Sequence, residues 1–179
     1  HASKPYRLTF TCVSCAPSLI VSASVLVATV PFGVPVRLGI EQQPRETVAG
    51  AAFTQPPLVR ALDANGNTVL DFLANINVQL LTVNASFADA QLIGVTQVAA
   101  RAPLGVALFQ NLTVHRAGVY QLNFSSPFLK SATSRVFRVR EAREDSLYAQ
   151  FVHLNLTSMQ PIGPLQVSVR DAHGNLVPV

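Results

Sequence analysis

Apolar and polar residues alternate in short runs along this chain, and turn residues cut the runs about every ten positions. A period of two marks strands with one buried face. Val36-Arg-Leu-Gly-Ile40 alternates, and Gln43-Pro44-Arg45-Glu46 breaks the run. Pro56-Pro57 introduces a strand over Leu58–Leu62, with Val59 and Ala61 on one face. Asp63-Ala-Asn-Gly-Asn67 reads as a tight turn in which Gly66 supplies a positive φ. Asn75–Leu80 points Ile76, Val78 and Leu80 inward. Gln91–Val98 and Gly105–Gln110 read as two further strands. Ala117-Gly118 turns into a strand over Tyr120–Phe124, and Ser134–Arg140 closes the set. About seven antiparallel strands with no credible helix predict an all-β sandwich. Glu141–Asp145 is the one segment of helix-like composition and reads as a linker. Strands are also expected at Tyr6–Phe10, after Ala16-Pro-Ser18, near Leu147, and around Leu165, Val167 and Val169.

The pattern repeats. Tyr6-Arg-Leu-Thr-Phe10 returns as Tyr120-Gln-Leu-Asn-Phe124. Ser22-Ala-Ser24 returns 109 residues on as Ser131-Ala-Thr133. Asp63-Ala-Asn-Gly-Asn67 returns 108 residues on as Asp171-Ala-His-Gly-Asn175. Three matches at nearly one spacing predict tandem domains of roughly 110 residues, an ordinary domain size. Residues 1–30 then hold the last strands of one repeat, 36–140 a complete repeat, and 147–179 the first strands of a third. An isolated half-sandwich exposes a strand edge and an unfilled core face. The chain is therefore expected to be a piece of a longer array.

Composition narrows the classes. The chain of 179 residues is 49% hydrophobic and 12% charged, about half the usual charged share. The formal charge is +4, but the arginines are scattered. A nucleic-acid surface needs a basic stripe interleaved with aromatics, and none is visible. The apolar run Leu19–Val30 is short, β-branched and interrupted by Ser22, Ser24 and Thr29. A strand explains it better than a membrane span, so any membrane contact is expected only through regions outside these 179 residues.

Four of nine asparagines head an Asn-X-Ser/Thr sequence: Asn84, Asn111, Asn123 and Asn155. Chance would supply about one, so the excess points to a secretory route and to N-glycans. Asn123 and Asn111 are the leading candidates, and Asn84 is expected to face outward at its strand end. Cys12 and Cys15 are the only cysteines. A local structural disulfide is the preferred reading. A redox pair would need a helix start after a parallel strand, and zinc would need a second cysteine pair. Asp63, Asn65, Asn67 and Asp71 alternate as oxygen ligands do in calcium loops. A hairpin turn is the better reading of the same residues, because the second copy has His173 at the middle position and no downstream acid. No catalytic motif is present, the carboxylates are few, and no cofactor is implied.

Ala117-Gly118-Val119-Tyr120-Gln121-Leu122 resembles the tyrosine corner of immunoglobulin-like domains, with Leu122 where an antibody domain has a cysteine. Gln42-Gln43-Pro44, Thr47-Val48-Ala49-Gly50, Asp63–Asn67 and Asn111-Leu-Thr113 extend the likeness. The middle repeat and its two partial copies resemble bacterial Ig-like and filamin-type repeats of large extracellular glycoproteins. They are similar in style to algal or protist flagellar-surface and mastigoneme proteins. The resemblance implies a non-catalytic stalk or filament segment at the cell surface or outside the cell, with the flagellar surface as the finer expectation. Its partners would be neighbouring repeats and other copies of the same protein. The alternative is the ectodomain of an adhesion receptor that binds a protein or glycan.

Overall fold

The computed structural model describes residues 6–11, 22–27, 33–85, 89–102, 104–151 and 164–178. Every regular element among them is a strand, so the protein is all-β. The first two strands, β1 (Tyr6–Thr11) and β2 (Ser22–Val27), pair with each other and, among the described residues, with no other strand. Next come β3 (Arg37–Gln42), β4 (Thr47–Val48), β5 (Leu58–Leu62) and the long β6 (Asn75–Ala85). Then follow β7 (Leu92–Ile93), β8 (Gln97–Ala99), β9 (Val106–Leu108) and β10 (Thr113–Val114). β11 (Gly118–Ser125), β12 (Ala132–Thr133) and β13 (Phe137–Arg140) precede a final hairpin, β14 (Glu144–Phe151) and β15 (Leu165–Asp171).

Between residues 37 and 140 the strands form two main sheets. One runs β3-β5-β9, and the other β4-β13-β11-β6-β8, with β12 beside β11. Their facing side chains make one core. Leu38, Val59 and Ala61 come from the first sheet; Ile76, Val78, Tyr120, Leu122, Phe124, Phe137 and Val139 come from the second. The inward positions are those the alternation marks, because successive side chains leave opposite faces of a strand. Phe109 packs on Phe124 at 5.2 Å, and Phe53 meets Phe137 edge-on at 5.2 Å.

The structure departs from the expected strands in several places. Gln91–Val98 is two strands, not one. Gly94 sits at φ 120°, and a Cβ there would meet Asn111 O at 2.5 Å. The chain turns at this point, so β7 joins β10 while β8 joins β6. Of the expected strand Ser134–Arg140, only Phe137–Arg140 forms one. Buried Ser134 Oγ accepts the Leu122 N–H at 2.9 Å, which displaces the backbone acceptor of a continuous ladder. The strands are not all antiparallel: β4 runs parallel to β13, after Pro44 releases the chain from β3 toward the opposite sheet. Finally, the expected linker of 141–145 shrinks to 141–143, because Glu144 already pairs with Asp171 in β14–β15.

One irregularity re-aims a side chain. β6 continues past Leu80, and simple alternation would give Asn84 the inward phase of Ile76, Val78 and Leu80. Val119 pairs with Asn84 and Tyr120 with Thr82, so Val83 is an extra residue on β6. The bulge reverses the phase. Ala85 packs against the core and Asn84 is exposed.

Candidate functional site: the joint between the sandwich and the hairpin

The two Asp-Ala-X-Gly-Asn turns are built identically. Asp63 Oδ1 accepts the N–H groups of Asn65 (2.9 Å) and Asn67 (2.8 Å). Its Oδ2 accepts the Gly33 N–H (2.9 Å) and Asn67 Nδ2 (3.0 Å). Asp171 Oδ1 likewise accepts the N–H groups of His173 (2.9 Å) and Asn175 (2.9 Å). Its Oδ2 accepts the Ala142 N–H (2.8 Å) and Asn175 Nδ2 (2.9 Å). Gly66 and Gly174 take φ 87° and 79°, which the turn requires and glycine tolerates. Each aspartate thus ties its turn to the segment that enters the preceding strand.

The same bonds set the charge state. The Gly33 N–H, then the Asn67 amide and the two turn N–H groups, hold the Asp63 carboxyl at about 2 against desolvation. Burial pushes Asp171 upward, but the N–H groups of Asn175, Ala142 and His173 outweigh it and leave its pKa lowered. Four N–H donors on one carboxylate leave it poorly placed to serve a cation. Asp71 is exposed in the turn after Val69, and Asn65 is exposed as well. Among the described residues, no group of three or more His, Cys, Asp or Glu side chains could hold a metal ion. The loop reads as a self-bonded turn.

The copies differ in what the terminal asparagine does. Asn67 is exposed, whereas Asn175 is 1% exposed. Asn175 Nδ2 donates to His115 O at 2.8 Å, and the Ala117 N–H donates to Asn175 Oδ1 at 2.9 Å. The side chain therefore spans the turn just before β11. Arg116 reinforces it: Nη1 donates to His173 O at 2.6 Å, while Nε and Nη2 grip Asp89 at 3.1 and 2.6 Å. The imidazoles of His115 and His173 stack at 4.5 Å between centroids. Gly50, at φ 76°, lies so close that a Cβ would overlap the His173 ring.

The tyrosine corner supports this joint from the sandwich side. Buried Tyr120 donates its hydroxyl to Arg116 O at 3.0 Å, and burial raises its pKa. That bond fixes the backbone of the turn that Asn175 reads. Gly118 makes room for it, since a Cβ there would lie 2.8 Å from both Ala85 Cβ and the Tyr120 hydroxyl. The sequence marked Tyr120 and both turns. It gave no sign that Asn175, His115 and Arg116 meet, because they lie about 60 residues apart.

The other expected site residues are spread out. Asn84 and Asn111 are exposed, the latter at φ 57°. Asn123 is half-buried on the outer face of β11 and accepts a hydrogen bond from Thr133 Oγ1 at 3.2 Å. Cys12, Cys15 and Asn155 lie outside the described residues.

No family model matches the chain, and no curated protein matches it. Solved structures give loose overlaps. A β-glucuronidase of Parabacteroides merdae is 18% identical over 68% of this chain and 14% of its own, with a TM-score of 0.43. A β-glycosidase from Bacteroides vulgatus is 10% identical over 76% of this chain and 23% of its own, with a TM-score of 0.41. Domains 4–9 of the surface layer protein SbsC are 16% identical over 89% of this chain and 23% of theirs, with a TM-score of 0.38. The chain spans less than a quarter of the length of each, and overlaps this loose establish no shared activity.

Proposed function

We propose that this chain is a non-catalytic structural segment of a large secreted or cell-surface glycoprotein. It builds a stalk or extracellular filament from immunoglobulin-like repeats, one complete and two partial, in the manner of a mastigoneme or flagellar-surface protein. The observation that carries this reading is the burial of Asn175 across the joint. Of the two turns, the one at 171–175 serves as the plug by which the hairpin seats on the sandwich before it. A short 141–143 connection and a polar lock give a joint that transmits direction, which a stalk needs. Conventional interdomain contacts in a chain leave relative motion as the default; here the hydrogen bonds of Asn175 and Arg116 oppose it. Residual dipolar couplings test this. The amides of 36–140 and of the hairpin should fit one alignment tensor, and two independent tensors would show a free hinge and remove the support.

One observation favours the second reading, an adhesion ectodomain. Leu73, Leu104 and Phe128 are exposed, with Phe128 wholly so at φ 63°. Their loops are tied by the Ala100 N–H to Ala74 O (3.2 Å) and by Ser126 Oγ to Asn75 O (2.7 Å). None of the four glycosylation sequences falls on them, and exposed apolar clusters mark interaction surfaces. Loss of cell binding by a Leu104→Ser/Phe128→Ser protein, with the joint intact, would favour adhesion; unchanged binding would remove this reading.

A further inference from the structure

The outer face of the β14–β15 hairpin meets the end of the repeat across an open cleft of about 650 Å³. That volume lies in the range of small-molecule sites, about 300–1,000 Å³. The hairpin wall comes from alternate residues, Tyr148 and Gln150 on one strand and Gln166, Ser168 and Arg170 on the other. These are the polar phase of both strands; the apolar phase, Leu147 and Val167, faces the other way. The opposite wall includes Asn84, Arg138 and Glu141.

This is the chemistry of a saccharide site. Sugars present C–H faces to an aromatic ring and hydroxyls to planar amide, guanidinium and carboxylate groups. Tyr148 is 48% exposed, and its ring is braced on one side by the Arg170 guanidinium at 4.5 Å. Arg170 is itself held by the Gly174 carbonyl at 3.1 Å. Its Nε is buried and has no acceptor among the described residues. A protein ligand would ask for a larger apolar centre than this cleft has.

We propose that the cleft is a saccharide site and that its occupant is the N-glycan carried by Asn84. The inference rests on the glycoprotein reading above. The Val83 bulge is what turns Asn84 out of the core phase and into the cleft wall, so the attachment point and the aromatic platform share one space. The first two sugars of an N-glycan, N-acetylglucosamine residues, lie nearest the asparagine. Their rings seat on Tyr148, and their acetamides and hydroxyls meet Gln150, Gln166 and Arg138. The glycan then acts as mortar between the repeat and the hairpin, beside the Asn175 lock.

The test uses the full chain secreted from a eukaryotic host, with occupancy at Asn84, Asn111, Asn123 and Asn155 read by peptide mass spectrometry. Asn84→Gln should raise amide exchange in 144–151 and 165–171 by roughly three- to tenfold, the scale of one lost aromatic contact. Tyr148→Ala should do the same, and the double variant should add little to either, since the two act through one contact. Asn111→Gln serves as the control and should leave the hairpin unchanged. A second arm titrates unglycosylated protein with N,N′-diacetylchitobiose and follows the Tyr148 ring by NMR. Chitobiose perturbing Tyr148 is the expected result; the same effect combined with no modification of Asn84 in the secreted protein keeps the saccharide site but assigns it an external sugar, overturning the Asn84 source. Occupied Asn84 with unchanged hairpin exchange and no chitobiose effect overturns the proposal and spares the glycoprotein reading. No modification at any sequon overturns both that reading and the Asn84 source.

Discussion

Asn175→Ala removes one side chain and opens the joint at its centre. Three side-chain hydrogen bonds go: to His115 O, from the Ala117 N–H, and to Asp171 Oδ2. Two of these cross from the hairpin to the sandwich. A hydrogen bond contributes about 0.5–1.5 kcal/mol net, and a buried group left without a partner costs about 1–3 kcal/mol. The Arg116–His173 bond and the imidazole stack remain, so water re-solvates part of the exposed surface. The expected loss across the joint is about 2–3 kcal/mol. At 1.4 kcal/mol per factor of ten, that is roughly a 30- to 150-fold fall in protection of the Ala117 amide. Native-state hydrogen exchange by NMR reads that amide directly. Asn67→Ala is the internal control. It removes the matching bond to Asp63 but should leave Ala117 unchanged. A fall of less than about threefold in Asn175→Ala, or an equal fall in Asn67→Ala, would refute the assignment of Asn175 as the lock.

Three further outcomes follow from the same geometry. Tyr120→Phe removes the bond to Arg116 O from a fully buried site and should cost about 1–2 kcal/mol by urea titration; a cost below about 0.5 kcal/mol would mean the corner is ornamental. Asp63 has a folded pKa of about 2, below its ordinary 3.8. A lowered carboxyl pKa stabilises the fold above the unfolded value, and that contribution drains away as pH falls from about 4 toward 2. Thermal midpoints should therefore drop through this window, more shallowly in Asp63→Asn, and a midpoint that rises on acidification would contradict the bonding of the turn. Gly50→Ala must adopt a positive φ and also displace the His173 ring, so the ring resonances of His115 and His173 should shift and the hairpin loosen. Gly66→Ala pays a similar φ penalty in open surroundings and should leave both rings in place.

Alternation in the sequence determined much of this protein by itself. Val59 and Ala61, Ile76 and Val78, and Tyr120, Leu122 and Phe124 are buried in the phase their spacing marks. Side-chain direction in a strand is local, fixed by the two-residue pleat, so it can be read from neighbours. The turns at 63–67 and 171–175 are legible for the same reason: every group that ties Asp63 to Asn65 and Asn67 lies within five residues. What the sequence left open depends on groups far apart in the chain. The split at Gly94 exists because the chain changes sheets beside Asn111, and the break at Ser134 exists because its hydroxyl reaches β11. The bulge at Val83 reverses the phase of Asn84, and only the pairing with Val119 and Tyr120 reveals it. The joint is the furthest from reach. Asn67 and Asn175 occupy one local motif with one local bonding pattern, yet one is exposed and the other buried, because burial of Asn175 is decided by His115 and Ala117 on another unit of the fold. Local sequence fixes the shape of the turn; tertiary packing alone decides whether that turn meets water or a partner.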